Sequence, residues 1–434
     1  MLNAKLAAWD RLGRPFRLLL ASDALMLLSL MVGYVATPWW IAHEGGARHL
    51  ALYAGLLAAV SFFALPLLSP WGDRVSKRVL ITAGLAAMLV QSLLLAGLAQ
   101  AGVYRIEWMI LLGVIQQLAM AVVTPVMFSI GAELLPPEQL NEGLGYQRSA
   151  QALGRLLGPM AGGALLAVAD TATALWVNAG LLFLSCVMAT RITVPLRATA
   201  PRSLEQWAAD LRAGLAAKWL IPTERGWTFV SFLVMIFFVP GIGMLVPLKV
   251  QSLSLSGAWL GACEAGLSLG MLLGALGGSN WLAERIGRFR ASLGAILCEG
   301  LSLALVGATH RPWLLVAALM LMGGCIATVQ TVGHTQRMLA IPPDFRTRMT
   351  AVNMMVMQVA GVLGPAVAGL GLVAFHIDQI YMAFGAGLFL VGLGYRRVPG
   401  YQRFLDMPHA EATGLYAREH PALFGADARP EQKR

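Results

Sequence analysis

Charge is what this chain has least of. Only 12% of its 434 residues are Asp, Glu, Lys or Arg, about half the share in soluble globular proteins. That deficit excludes an ordinary cytosolic enzyme, a disordered chain and a nucleic-acid-binding protein, although the net charge is +10. Cysteine is scarce too. Cys186, Cys263, Cys298 and Cys325 all lie in apolar runs and read as reduced, buried small side chains. No Gly-x-x-x-x-Gly-Lys-Ser/Thr phosphate loop occurs, which speaks against ATP as an energy source. Metal-ligand spacings and a Ser/His/Asp set within one compartment are also missing. No metal, cofactor or enzymatic activity is therefore expected.

Apolar sequence is abundant, at 58%. A helix crossing a bilayer needs about 20 mostly apolar residues. Such runs lie near 16–40, 50–68, 79–101, 108–130, 147–168, 172–190, 227–248, 257–282, 291–309, 313–335, 350–375 and 378–395, which makes twelve. None alternates with period two, so a β-barrel is excluded. The first run is too long for a cleaved signal peptide, and no small-residue cleavage site follows it. An all-α integral membrane protein with twelve transmembrane helices is expected.

The basic residues set its orientation. With the amino terminus inside, the outer loops hold Arg48, Arg105, Lys249 and Arg311, and Arg155 falls within a span. All the others of the 32 Lys and Arg residues lie on inner segments. This bias predicts both termini in the cytoplasm, in a multi-pass protein of the inner membrane. The positive charge is thus a topology signal, and the partner it implies is a lipid bilayer.

The longest polar interruption divides the chain into a six-helix bundle (1–190), a linker (191–226), a second six-helix bundle (227–395) and a cytoplasmic tail (396–434). In the linker, Ser203 and Gln206 form a capping box. Leu204, Trp207, Leu211, Leu215 and Trp219 then recur at helical spacing, predicting an amphipathic helix on the inner membrane surface.

The two bundles repeat one another. The loop after span two carries Asp73, Arg74, Lys77 and Arg78; the loop after span eight carries Glu284, Arg285, Arg288 and Arg290. Each sets an acid-Arg pair ahead of a basic cluster. In each half, too, a Pro-Pro-acid triplet (136–138 and 342–344) precedes a Gly-Pro pair (158–159 and 364–365) by the same interval. Many secondary transporters are built from such repeats, with substrate bound between them. The loop cations are suited to pair across the inner mouth when it is closed and to separate when it opens. They also serve as positive-inside anchors.

These two loops resemble the loop signature of the major facilitator superfamily. Within it, the Leu-Pro-Pro-Glu-Gln-Leu-Asn stretch (135–141) followed by Gly158-Pro159 resembles the branch that contains the enterobactin (siderophore) exporter. The resemblance implies two pseudo-symmetric six-helix bundles rocking about a central cavity. Span five contains Gly154, Gly158, Pro159, Gly162 and Gly163 in a Gly-x-x-x-Gly-Pro-x-x-Gly-Gly pattern. That pattern is similar to the motif of superfamily antiporters, which implies export by proton exchange. The same glycines and proline would also suit any kinked packing seam. Superfamily exporters often carry an arginine in span four, whereas this chain has Gln116 and Gln117 there.

Charges at membrane depth are costly, so each is a functional candidate. Asp23 in span one and Arg155 in span five lie at similar depth from the same side, which allows a pair. Asp23 is the candidate coupling acid, with Arg155 its partner or an anion contact; a static buried pair is the other reading. Glu264 enters span eight from the outer side, and Glu299 lies in span nine, where packing explains it better. Tyr34, Gln116, Gln117, Asn178, Gln330 and Gln358 are candidate cavity residues. The expected function is proton-coupled export of a small molecule, a siderophore or related metabolite, by a monomer. A broad drug/proton antiporter and an uptake permease remain open. So does a membrane sensor or scaffold whose tail aromatics Tyr401, Phe404, Tyr416 and Phe424 dock a partner.

Overall fold

The computed structural model describes residues 13–68, 76–135, 139–192 and 204–424. Asp73, Arg74, the first Pro-Pro-acid triplet and the Ser203 cap lie outside the described residues, as does the side chain of Arg155. Every regular element among the described residues is helical. The chain divides into two compact units, one of residues 1–203 with 250–265, the other of 204–249 with 266–434.

The first unit contains α1 (Gly13–Leu68), α2 (Lys77–Gln100), α3 (Ile106–Glu133), α4 (Leu140–Val168) and α5 (Thr171–Thr190). At 56 residues, α1 is about 84 Å long at 1.5 Å per residue, nearly three times the hydrocarbon thickness. Gly46, at φ 63° and ψ −166°, interrupts it in a conformation that only glycine adopts freely. Two expected spans thus share one element. Leu19 and Leu27 of α1 pack with Leu85 of α2, Val123 and Met127 of α3 and Leu182 of α5 to form this unit's core.

The second unit begins with α6 (Leu204–Leu220) and α7 (Pro222–Ile242). The short α8 (Leu245–Ser252) and α9 (Gly257–Leu273) each contribute residues to both units. The second unit continues with α10 (Ser279–Ile286), α11 (Arg288–Ala308), α12 (Pro312–Val329), α13 (Thr335–Ala340), α14 (Pro343–Ala374) and α15 (Ile377–Gly392). Two five-residue π-helical segments, Gly274–Gly278 and Gln330–His334, join α9 to α10 and α12 to α13. Small residues let these helices close up, as expected where lipid removes the hydrophobic drive for helix association. A Cβ on Gly300 would lie 2.8 Å from the Gly385 carbonyl oxygen, and one on Gly270 would lie 1.8 Å from that of Met320.

Ten segments among the described residues are long and apolar enough to cross a membrane. Two physical features separate that number from the twelve expected runs. The first two runs are continuous in α1, and only Leu157–Val168 of α4 is strongly apolar. Gln147 and Gln151 make the first half of α4 polar.

The linker helix α6 packs on its own unit through one face. A Cβ on Gly214 would lie 2.8 Å from the Arg348 carbonyl oxygen, and Ala217 and Lys218 are buried. Leu215, Trp219 and Leu220 remain exposed. After α15 the chain turns through Leu393–Arg397 into α16 (Tyr401–Asp406), α17 (His409–Ala412), α18 (Leu415–Glu419) and α19 (Pro421–Phe424). Tyr401, Phe404, Tyr416 and Phe424 are all buried in this unit. The aromatics expected to offer a docking segment therefore fill the chain's own interior.

Candidate functional site

Asp23 is 2% exposed in the middle of the α1–α4 seam. Its Oδ2 accepts hydrogen bonds from Gln147 Nε2 at 3.1 Å and Gln151 Nε2 at 2.8 Å. The two glutamines stand one helical turn apart on α4, and position 155 follows one turn further on the same register. Gln147 is 1% exposed, and its Oε1 has no hydrogen-bond partner among the described residues. A buried acceptor without a donor is costly, and here it adjoins a carboxylate that could supply one on gaining a proton. Sequence reasoning missed both glutamines. Their signal was polar residues four apart ahead of Arg155 in an otherwise apolar run.

The glycine motif builds the same seam. Cβ atoms on Gly154, Gly158 and Gly162 would lie 3.1 Å from Leu27 Cβ, 2.2 Å from Met31 Cβ and 3.2 Å from Val32 Cα. Pro159 lies inside α4. Gly163 faces elsewhere: its Cβ would lie 1.9 Å from the Cα of Gly261 on α9. The motif thus sets backbone against backbone along two helices at once.

Of the other expected residues, Tyr34 and Glu264 lie close enough to interact electrostatically, and the rest are dispersed. Glu264 is 7% exposed, and Tyr34 is exposed. Asn178 binds a neighbouring helix: its carbonyl oxygen accepts from Ser29 Oγ at 2.9 Å, and its Oδ1 accepts from the same hydroxyl. Its polarity is used in packing. Gln117 Nε2 donates to Ser61 Oγ; Gln116 and Gln358 are half-buried, and Gln330 is exposed on a π-helical segment. Glu299 is buried within α11.

In the loop signatures, Arg78 Nη2 donates to the Thr190 carbonyl oxygen at 2.8 Å, closing the end of α5; Lys77 is half-buried. Glu284 is exposed, and the Arg285 guanidinium lies 4.8 Å over the Trp281 ring. Arg288 is held by the tail: Nη1 donates to the Met407 carbonyl oxygen at 2.8 Å, and Nη2 to His409 Nε2 at 3.2 Å.

A second buried cluster was not anticipated. Glu224, 1% exposed near the start of α7, receives Arg337 Nε at 2.8 and 3.1 Å, Lys218 Nζ at 3.3 Å and the Tyr416 hydroxyl at 3.1 Å. Lys218 Nζ also donates to Thr228 Oγ1 at 2.7 Å and Asn353 Oδ1 at 3.1 Å. Burial pushes Lys218 down to about 8, against the pull of Glu224. In sequence, Lys218 and Arg337 read only as positive-inside charges, because nothing local shows that they share an acid.

The helical units and apolar spans define a polytopic membrane fold, and a family model gives its class. The Major Facilitator Superfamily model matches residues 19–365 and 265–411. The chain belongs to that superfamily. It is 25% identical over 244 residues to the multidrug efflux pump Tap of Mycolicibacterium fortuitum, covering 56% of this chain and 59% of that one. The match thus spans about three fifths of that relative. Among solved structures, a point mutant of the nucleoside transporter NupG superposes with a TM-score of 0.71 at 14% identity, covering 89% of this chain and 100% of that one. A bacterial homologue of the iron transporter ferroportin, in an inward-facing state, also gives 0.71 at 14% identity, covering 88% and 98%. These likenesses show the fold. The protein is a non-enzymatic, multi-pass membrane transporter of the superfamily.

Proposed function

We propose that this chain exports a small organic molecule across the inner membrane in exchange for protons. It works as a monomer of twelve spans, in two six-helix bundles, with both termini in the cytoplasm. Asp23 is the coupling acid. The observation that carries this reading is that Asp23, buried in an apolar helix, accepts two amide donors on one carboxylate oxygen. As a carboxylate, Asp23 accepts from Gln147 and Gln151. On taking a proton from the outer side it becomes a donor, and rotation of the Gln147 amide presents the unpartnered Oε1 as its acceptor. Release of that proton inside restores the first arrangement. The seam can repack between the two because its glycines already bring the α1 and α4 backbones together.

The cargo has two candidates, each with its own support. The 135–141 stretch followed by Gly158-Pro159 favours a siderophore or related metabolite. Similarity to a multidrug efflux pump favours broad-specificity efflux of lipophilic compounds. Arg155 is the candidate contact for an anionic cargo, and Glu264 for a cationic one. The deciding experiment uses proteoliposomes with an imposed pH gradient, offering ethidium and, separately, an iron-free catecholate siderophore. Gradient-driven movement of either compound, abolished by Asp23→Asn, supports proton-coupled export. Movement that ignores the gradient in the unmodified protein refutes coupling.

A further inference from the structure

The tail from Tyr401 to Phe424 is secured at two levels. The deep level consists of the four buried aromatics and the Tyr416–Glu224 bond. The Tyr395 and Tyr401 rings stack at 5.4 Å, those of Phe404 and Tyr416 at 5.9 Å, and Phe345 meets Phe424 edge-on at 4.8 Å. Together these contacts anchor the tail to α7, to α14 and to the Leu393–Arg397 turn.

The shallow level lies between, at residues 406–413. Gln336, fully buried on α13, donates from Nε2 to the carbonyl oxygens of Phe404 at 3.0 Å and Met407 at 2.8 Å. Its Oε1 accepts from His409 Nδ1 at 2.8 Å. His409 Nε2 is then the acceptor for Arg288. Asp406 Oδ1 accepts the backbone N–H of Phe289 at 2.9 Å, capping the start of α11. Arg288, Asp406 and His409 line an open cleft of about 660 Å³ with Asn280, Glu284 and Gly287. Asp406 and His409 are exposed while Ala412 behind them is fully buried, so the segment has a solvent-facing edge from which it can lift.

We propose that residues 406–413 form a releasable latch that occupies Arg288 while the deep aromatics keep the tail attached. The latch competes with the gate for that arginine. Seated, it takes up Arg288 with Met407 and His409; lifted, it frees the guanidinium of the second signature loop to make its gating contact. The tail is therefore a restraint on the cycle set from within the chain. This inference rests on the transport reading above only for its effect on rate, since opening of the latch is read separately.

The test uses the full-length chain in inside-out vesicles, with Ala412→Cys as reporter and the four native cysteines replaced by serine. His409→Ala removes two hydrogen bonds and is expected to speed maleimide labelling of the reporter at least about fivefold, the factor for loss of one ordinary hydrogen bond. Ethidium transport is expected to rise about twofold, part of the same free energy appearing in the rate. Cleavage after Glu411 by a glutamate-specific protease, with Ala412 intact, should rise in parallel and guards against disturbance by the reporter itself. Unchanged labelling and cleavage would overturn the latch. Faster labelling with an unaltered ethidium rate would overturn its regulatory role. If neither the unmodified protein nor any variant moves ethidium or the catecholate siderophore, the transport reading fails instead, and labelling alone decides whether the latch opens.

Discussion

The Tyr416 hydroxyl donates to Glu224 Oε1 at 3.1 Å across 192 positions of sequence. The bond joins the last part of the described chain to the first turn of α7, inside a cluster that also buries Arg337 and Lys218. One acid therefore holds two cations and a phenol from separate elements.

Removing that acid should be severe. Glu224→Gln leaves Arg337 and Lys218 buried without their counter-charge, a loss of about 3–5 kcal/mol for a broken buried pair. Tyr416→Phe removes one hydrogen bond and should cost only about 1–2 kcal/mol. Thermal unfolding in detergent checks the order; equal losses would refute the central place given to Glu224.

The glycine seam makes a steric prediction. Gly163→Val places branched carbons where the Gly261 backbone stands at 1.9 Å from a bare Cβ, so the two helices must part. Overpacking of this kind costs about 1–3 kcal/mol or more. Gly180→Ala, with nothing within 4 Å of its Cβ, is the matched control and should be nearly silent in expression and unfolding temperature.

Proton coupling should separate from binding at the α1–α4 seam. Asp23→Asn is expected to abolish acceleration by a pH gradient while leaving downhill ethidium exchange within about twofold, because ground-state binding is untouched. Gln147→Leu should slow gradient-driven transport without abolishing its dependence on the gradient. Loss of binding in both variants would assign Asp23 to cargo contact.

The latch should respond to acid. Desolvation lowers the His409 proton affinity below its usual value, and the neighbouring Arg288 cation lowers it further. Glu284 and Asp406 are the carboxylates lining the same cleft. Because the seated state favours neutral His409, its contribution is full above the ordinary histidine value near 6.5 and fades as pH falls below it. Labelling of the Ala412→Cys reporter should therefore speed up between about pH 6.5 and 5, and the pH dependence should vanish in His409→Gln. A labelling rate that rises with alkali would contradict the assignment.

Much of this protein is legible in its sequence, because a bilayer imposes one-dimensional rules. Apolar runs, the bias of lysine and arginine and the doubled loops are local patterns, and they sufficed for an all-α transporter of this superfamily. Asp23 was also legible, as a charge in an apolar run that needs a reason. Its partners were not: Gln147 and Gln151 are identified only by the register between α1 and α4, which depends on where glycines let backbones meet. Asn178 shows the converse, a polar residue that reads as cavity lining but is spent on Ser29.

Glu224, Arg337, Lys218 and the tail mark the limit most clearly. In sequence the cations are topology signals and the tail aromatics an available surface. Hydropathy and charge bias depend on neighbours along the chain, so sequence by itself determined the class of protein and its all-helical, membrane-spanning character. Burial of an ion pair depends on neighbours in space, and only the tertiary structure decided that residues 192 positions apart share one charge centre and that the tail closes over its own unit.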